Sequence, residues 1–116
     1  MTALEKLLKA SFKEEQLKIE GTTYIVKEMT AKDKSEYEGS LYTFKQIGKE
    51  VKVTPNMEGV KSKLVFYTLH DEQGQKVFKD LSDLPLVDTL PSSIIEMICD
   101  VAGKINGLNQ EEVTKN

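Results

Sequence analysis

The chain has no arginine: all 16 of its basic residues are lysine. Arginine is the side chain that grips phosphate and carboxylate with a two-pronged fork. Its absence, with a net charge of -3, makes the chain a poor candidate for a nucleic-acid reader, which needs a clustered positive surface to neutralise phosphates. There is one cysteine and one histidine. No internal disulfide can form. The pair is also too few for a structural zinc site, which draws four ligands mainly from those two residue types. Cys99 lies in the apolar run Ile94-Ile95-Glu96-Met97-Ile98-Cys99, where a small buried hydrophobe is the ordinary role. Tryptophan is absent and proline occurs three times. No apolar run approaches the ~18 residues a membrane helix needs. The opening stretch MTALEKLLKASFKEE has no uncharged apolar core of signal-peptide length. The chain is therefore expected to be soluble and cytoplasmic.

What is present suits one folded domain. Leu, Ile, Val and Phe make up 32 of the 116 residues, above the roughly 20% below which charged chains stay disordered. Thr2-Ala3-Leu4-Glu5 has the spacing of a capping box, and Leu4, Leu7 and Leu8 follow on one face of a short helix. Leu17 to Glu20 alternates, Gly21-Thr22 breaks the pattern, and Thr23 to Lys27 resumes it, which reads as a hairpin. Thr30 reads as the cap of a second helix. The spacing of Tyr37, Leu41, Phe44 and Ile47 predicts that it runs from Ala31 to Ile47. The stretch from Lys49 to Pro55 reads as a loop or an edge strand.

Asn56 is a candidate cap for a third helix through Met57, Val60 and Leu64. The run Leu64 to Leu69 fits helix or strand, with helix favoured by the upstream pattern. Ser82 and Asp83 suit the cap of a short helix with Pro85 in its first turn. Ile94, Ile98, Val101, Ile105 and Leu108 recur at helical spacing, and Asn106-Gly107 marks an end. The expected fold is α+β and mostly helical: a short helix and a hairpin, then a bundle of about four helices. Residues 1–108 form the expected domain, and 109–116 a polar, flexible tail.

Chemistry is sparse. A nucleophile needs a base and an orienting group, and His70 stands alone in the sequence. Asp71-Glu72-Gln73-Gly74 faintly resembles a calcium loop, but Gln75 and Ser82 occupy positions where further acids belong. No glycine-rich phosphate loop occurs. The expectation is a chain without catalytic residues, cofactor or metal. What remains is apolar surface, with Ile94, Ile98, Val101, Ile105, Leu108, Leu4 and Leu8 as candidate partner contacts beside their default role in a core.

Several segments, read in order, carry a resemblance. They are the capped helix with Glu36-Tyr37, then Asn56-Met57-Glu58-Gly59-Val60, then Leu69-His70-Asp71-Glu72-Gln73-Gly74-Gln75-Lys76-Val77-Phe78. Leu90-Pro91-Ser92-Ser93-Ile94-Ile95-Glu96 and Ile105-Asn106-Gly107-Leu108 complete them. Together they resemble the tail assembly chaperones of long-tailed bacteriophages and prophages. The resemblance implies a non-enzymatic protein that binds the tape measure protein. It also implies that the protein keeps this client soluble and promotes tail tube assembly around it. It further implies action in the host cytoplasm, absence from the mature virion, and contact with the tail tube protein. Self-association is expected, and many members also exist in a longer, frameshifted form. Other classes left open are a tail terminator or connector, and a small bacterial adaptor or regulatory domain.

Overall fold

The computed structural model describes residues 1–108. The expected tail at 109–116 lies outside the described residues. Helix α1 (Ala3–Leu8) begins at Thr2, whose hydroxyl accepts the Glu5 amide and donates to the Glu5 carboxylate, both at 3.1 Å. Strands β1 (Glu14–Ile19) and β2 (Thr22–Lys27) form the first hairpin, with Ile19 opposite Thr22. Its two-residue turn holds Glu20 and Gly21 at φ 52° and 81°. Two positive φ values in a two-residue loop match the right-handed twist of the strands.

Helix α2 (Ala31–Gly39) starts at Thr30, whose hydroxyl accepts the Asp33 amide at 3.1 Å. It stops well short of Ile47, which corrects the sequence expectation. Ser40 ends it by donating to the Tyr37 carbonyl at 2.7 Å. Strands β3 (Tyr42–Ile47) and β4 (Glu50–Pro55) then pair as a separate antiparallel hairpin. The apolar spacing over 37–47 fits a helix turn for turn. Thr43 and the aromatics flanking it favour strand, however, and the alternating Val51-Lys52-Val53 supplies a partner. The stretch left as loop or edge strand is thus half of a hairpin.

Helix α3 (Val60–Thr68) is the centre of the molecule. Val60 and Leu64 through Thr68 are all buried; the C-terminal half is apolar on every side, while Lys61, Ser62 and Lys63 keep the first turn partly exposed. Asn56 is not its cap. Gly59 precedes the first helical residue at φ 66°, and its carbonyl accepts the Lys63 amide at 2.9 Å. Asn56 instead accepts the Glu58 amide one turn earlier. The ambiguous apolar run resolves as helix through Thr68. Leu69 then turns extended and opens β5 (Leu69–Asp71). This short strand adds to β2, with Leu69 opposite Val26, and completes a three-stranded sheet in the order β1-β2-β5.

A 3-10 turn (Leu81–Asp83) leads into the single-turn helix α4 (Leu84–Val87), with Pro85 in its first turn. Asp80 and Asp83 cap each other there; Ser82 does not take part. Helix α5 (Ser92–Ile105) spans the predicted amphipathic segment. It packs on α3 and also against β1 and β2. The α+β class stands. Helices α2, α4 and α5 meet α3, but α4 is one turn long and two hairpins flank the cluster, so the molecule is not the mostly helical bundle expected.

Candidate interaction surfaces

The recurring sequence motifs turn out to shape loops. Asp71 accepts the amides of Gln73 and Gln75, both at 2.9 Å, and Gly74 follows at φ 85°. The carboxylate is committed to its own turn. At the other end, Leu108 donates to the Gly103 carbonyl at 2.8 Å and Gly107 to that of Lys104 at 3.4 Å. Gly107 sits at φ 68°, completing a two-bond helix stop that needs a left-handed residue.

A cleft of about 130 Å³ is lined by titratable side chains that include Asp33, Tyr67, His70 and Lys76. Lys76 pairs with Asp33 at 2.9 Å and lies 5.7 Å from the centre of the Tyr67 ring. The Tyr67 hydroxyl donates to Glu36 at 3.4 Å. Burial, and then the nearby Glu36 carboxylate, raise the Tyr67 pKa above 10.0. His70 Nδ1 lies 2.8 Å from the Thr68 carbonyl. Burial lowers the His70 pKa below 6.5, against the opposing effect of that bond. These polar groups satisfy one another. Cys99 is buried and points its thiol at the Lys61 carbonyl, 3.4 Å away. Burial pushes its pKa up to about 12, the opposite of an activated nucleophile. Among the described residues, no group of three or more His, Cys, Asp or Glu could hold a metal ion, and no helix is long and apolar enough to cross a membrane.

The apolar candidates divide. Ile98 is fully buried, in one core with Leu64, Val26 and Val87. Ile94, Val101, Ile105 and Leu108 pack partly buried against that core. The buried line of α5 runs instead through Ile95, Ile98, Cys99 and Ala102. Periodicity alone placed the stripe one residue off, because α5 is packed from two sides, by α3 and by the sheet. Leu4 and Leu8 are different: they are 64% and 76% exposed, and α1 buries no residue.

A second uncovered surface escaped the sequence reading. Every residue of β3 and β4 is exposed, including Tyr42, Phe44, Val51 and Val53. The alternation of Val51 and Val53 was the signal for it. Strand register puts Tyr42, Phe44, Gln46, Val51, Val53 and Pro55 on one face. Thr43, Lys45, Ile47, Glu50, Lys52 and Thr54 share the other.

The molecule is thus a small α+β domain that uses its polar groups to hold its own loops and leaves apolar surface open on α1 and on the second hairpin. Its fold is similar to that of the tail assembly chaperone of bacteriophage HK97, with a TM-score of 0.52 and 17% sequence identity. The match covers 84% of this chain and 95% of that one. No protein-family model and no curated protein matches the sequence. The resemblance read from the ordered motifs therefore holds at the level of the fold.

Proposed function

We infer that the chain is a non-enzymatic tail assembly chaperone of a long-tailed phage or prophage. In this reading it binds the tape measure protein, keeps it soluble and promotes tail tube assembly around it. The observation that carries the reading is the fold shared with the HK97 chaperone over nearly the whole of that protein. Because a fold by itself hosts many functions, the surface matters as well. A chaperone that holds an apolar client needs accessible apolar side chains on a stable domain. Leu4 and Leu8 on α1, with the face of the β3–β4 hairpin, supply them. The protein acts in the host cytoplasm, in more than one copy per client, and is absent from the finished virion.

Co-expression of the chain with a tape measure protein from the same tail gene cluster tests this. The client should move from the insoluble to the soluble fraction and co-purify with the chain. A client that stays insoluble at equal expression would sink the proposal. Mass spectrometry of purified particles supplies an independent check: finding the chain in the virion would assign it to a terminator or connector instead.

A further inference from the structure

We propose that Asn106 is a latent deamidation site, guarded by the fold and released to one-way conversion into aspartate or isoaspartate when the end of α5 opens. Asn106-Gly107 is the one Asn-Gly pair in the sequence. Asparagine followed by glycine is the pair most prone to this reaction, because glycine has no Cβ to obstruct its own backbone nitrogen. That nitrogen attacks the side-chain carbon Cγ of the asparagine. A C–N bond forms, the side-chain nitrogen leaves as ammonia, and a succinimide ring remains. Water then opens the ring at either carbonyl, giving aspartate or isoaspartate. The step needs no oxidant, metal or enzyme.

The folded chain blocks the attack in several ways. Asn106 holds ψ at 4°, so the Gly107 nitrogen eclipses the Asn106 nitrogen and is turned away from the side chain it would attack. Both ends of the side-chain amide are tied: Oδ1 accepts the Met29 amide at 2.7 Å and Nδ2 donates to the Ala102 carbonyl at 2.9 Å. The residue is only 6% exposed, which keeps water and base from it. This guard hangs on the last turn of α5, where the Leu108 amide holds the Gly103 carbonyl at 2.8 Å and Gly107 reaches Lys104 at 3.4 Å. Element ends open at lower free energy than the core. Opening there frees ψ and both ends of the amide together.

The products do not restore the guard. An aspartate at 106 still accepts from Met29 but has no N–H for the Ala102 carbonyl, and sets a carboxylate oxygen against it. Isoaspartate also adds a main-chain methylene between α5 and Leu108, which breaks the spacing of the helix stop. A chain that has reacted therefore closes less firmly than before. The inference is independent of the functional reading.

Its test incubates the full chain in mildly alkaline buffer, with and without guanidinium chloride, and follows each asparagine by peptide mapping and mass spectrometry. In denaturant Asn106 should convert faster than Asn56 and Asn109, which precede Met57 and Gln110. In buffer its conversion should slow at least tenfold. Leu108→Ala removes a side chain that packs on the core and leaves the Asn-Gly pair intact. It should raise the rate in buffer several-fold and leave the rate in denaturant unchanged. Lys34→Ala, which removes the bond to the Asn106 carbonyl at 3.3 Å, serves in its place if circular dichroism shows that Leu108→Ala does not fold. Conversion in buffer as fast as in denaturant overturns the inference, as does an Asn106 no faster than the other asparagines in denaturant. A folded variant that converts in buffer at the wild-type rate overturns the link to the end of α5.

Discussion

The side chain of Asn106 accepts the backbone amide of Met29 at 2.7 Å, joining positions 77 residues apart in the chain. The same side chain donates to the Ala102 carbonyl at 2.9 Å, and the Asn106 backbone carbonyl accepts from Lys34 at 3.3 Å. Asn106 is one of the few buried polar residues. It ties the end of α5 to the link between the sheet and α2. Replacing it by alanine leaves the Met29 amide buried without a partner. Asn106→Ala should therefore lose about 1–3 kcal/mol of stability, read as a lower urea midpoint at an unchanged slope.

Ile98 and Leu8 were equal candidates in the sequence and are opposites in the fold. Ile98→Ala opens a cavity in the centre of the core and should cost about 2–5 kcal/mol. Leu8→Ala should stay within about 0.5 kcal/mol of the wild type, as is usual for surface changes. Paired chemical denaturation curves check both. On the chaperone reading, Leu4→Glu/Leu8→Glu keeps the circular dichroism spectrum and weakens client solubilisation.

Glu20 carries a left-handed φ of 52° in the first hairpin turn, a conformation that costs a non-glycine residue roughly 1–2 kcal/mol unless its side chain bonds locally. Asparagine tolerates it and followed by glycine is the favoured sequence for this turn. Glu20→Asn should raise the thermal midpoint. An unchanged or lower midpoint would show that the turn is not strained at this position.

Cys99 should be inert in the folded protein. Its thiol is buried and its pKa stands at about 12, so almost no thiolate exists at neutral pH. Labelling with a thiol-specific disulfide reagent should be slow in buffer and complete within the mixing time in concentrated denaturant.

His70 contributes to the loss of stability in mild acid. Its folded pKa lies below the unfolded value of 6.5, chiefly through burial. The unfolded chain therefore binds the proton first. The stabilisation is complete above about pH 6.5 and is lost as pH falls towards and through the folded value. Urea midpoints measured from pH 7.5 down to pH 5 should decline, and His70→Gln should flatten that decline.

Local signals in the sequence were reliable where one neighbour decides the outcome. Thr2 and Thr30 cap helices, Gly21 turns a hairpin and Asn106-Gly107 stops α5, because each needs only a few adjacent residues. The β3–β4 hairpin was missed because Tyr37, Leu41, Phe44 and Ile47 satisfy helical spacing by coincidence. What decides the matter is the pairing of 42–47 with 50–55, which no single-segment period reveals. The buried face of α5 was shifted for a similar reason. A helix packed from two sides has an apolar arc, and a one-line stripe drawn through it is arbitrary within that arc. As for the site, α1 was legible because its leucines have nothing nearby in sequence to cover them. The hairpin face was not, since its exposure depends on tertiary structure that fails to reach it.

Where the second hairpin leaves the body, the Asn56 amide donates to the Leu41 carbonyl at 2.5 Å. The two ends of the insertion are thereby clasped before the strands begin. None of the residues between them belongs to the core. The domain is therefore built like a handle with an exchangeable bit. Replacing segment 42–55 by a short turn should leave the circular dichroism signal of the helices and the urea midpoint of the core close to those of the wild type.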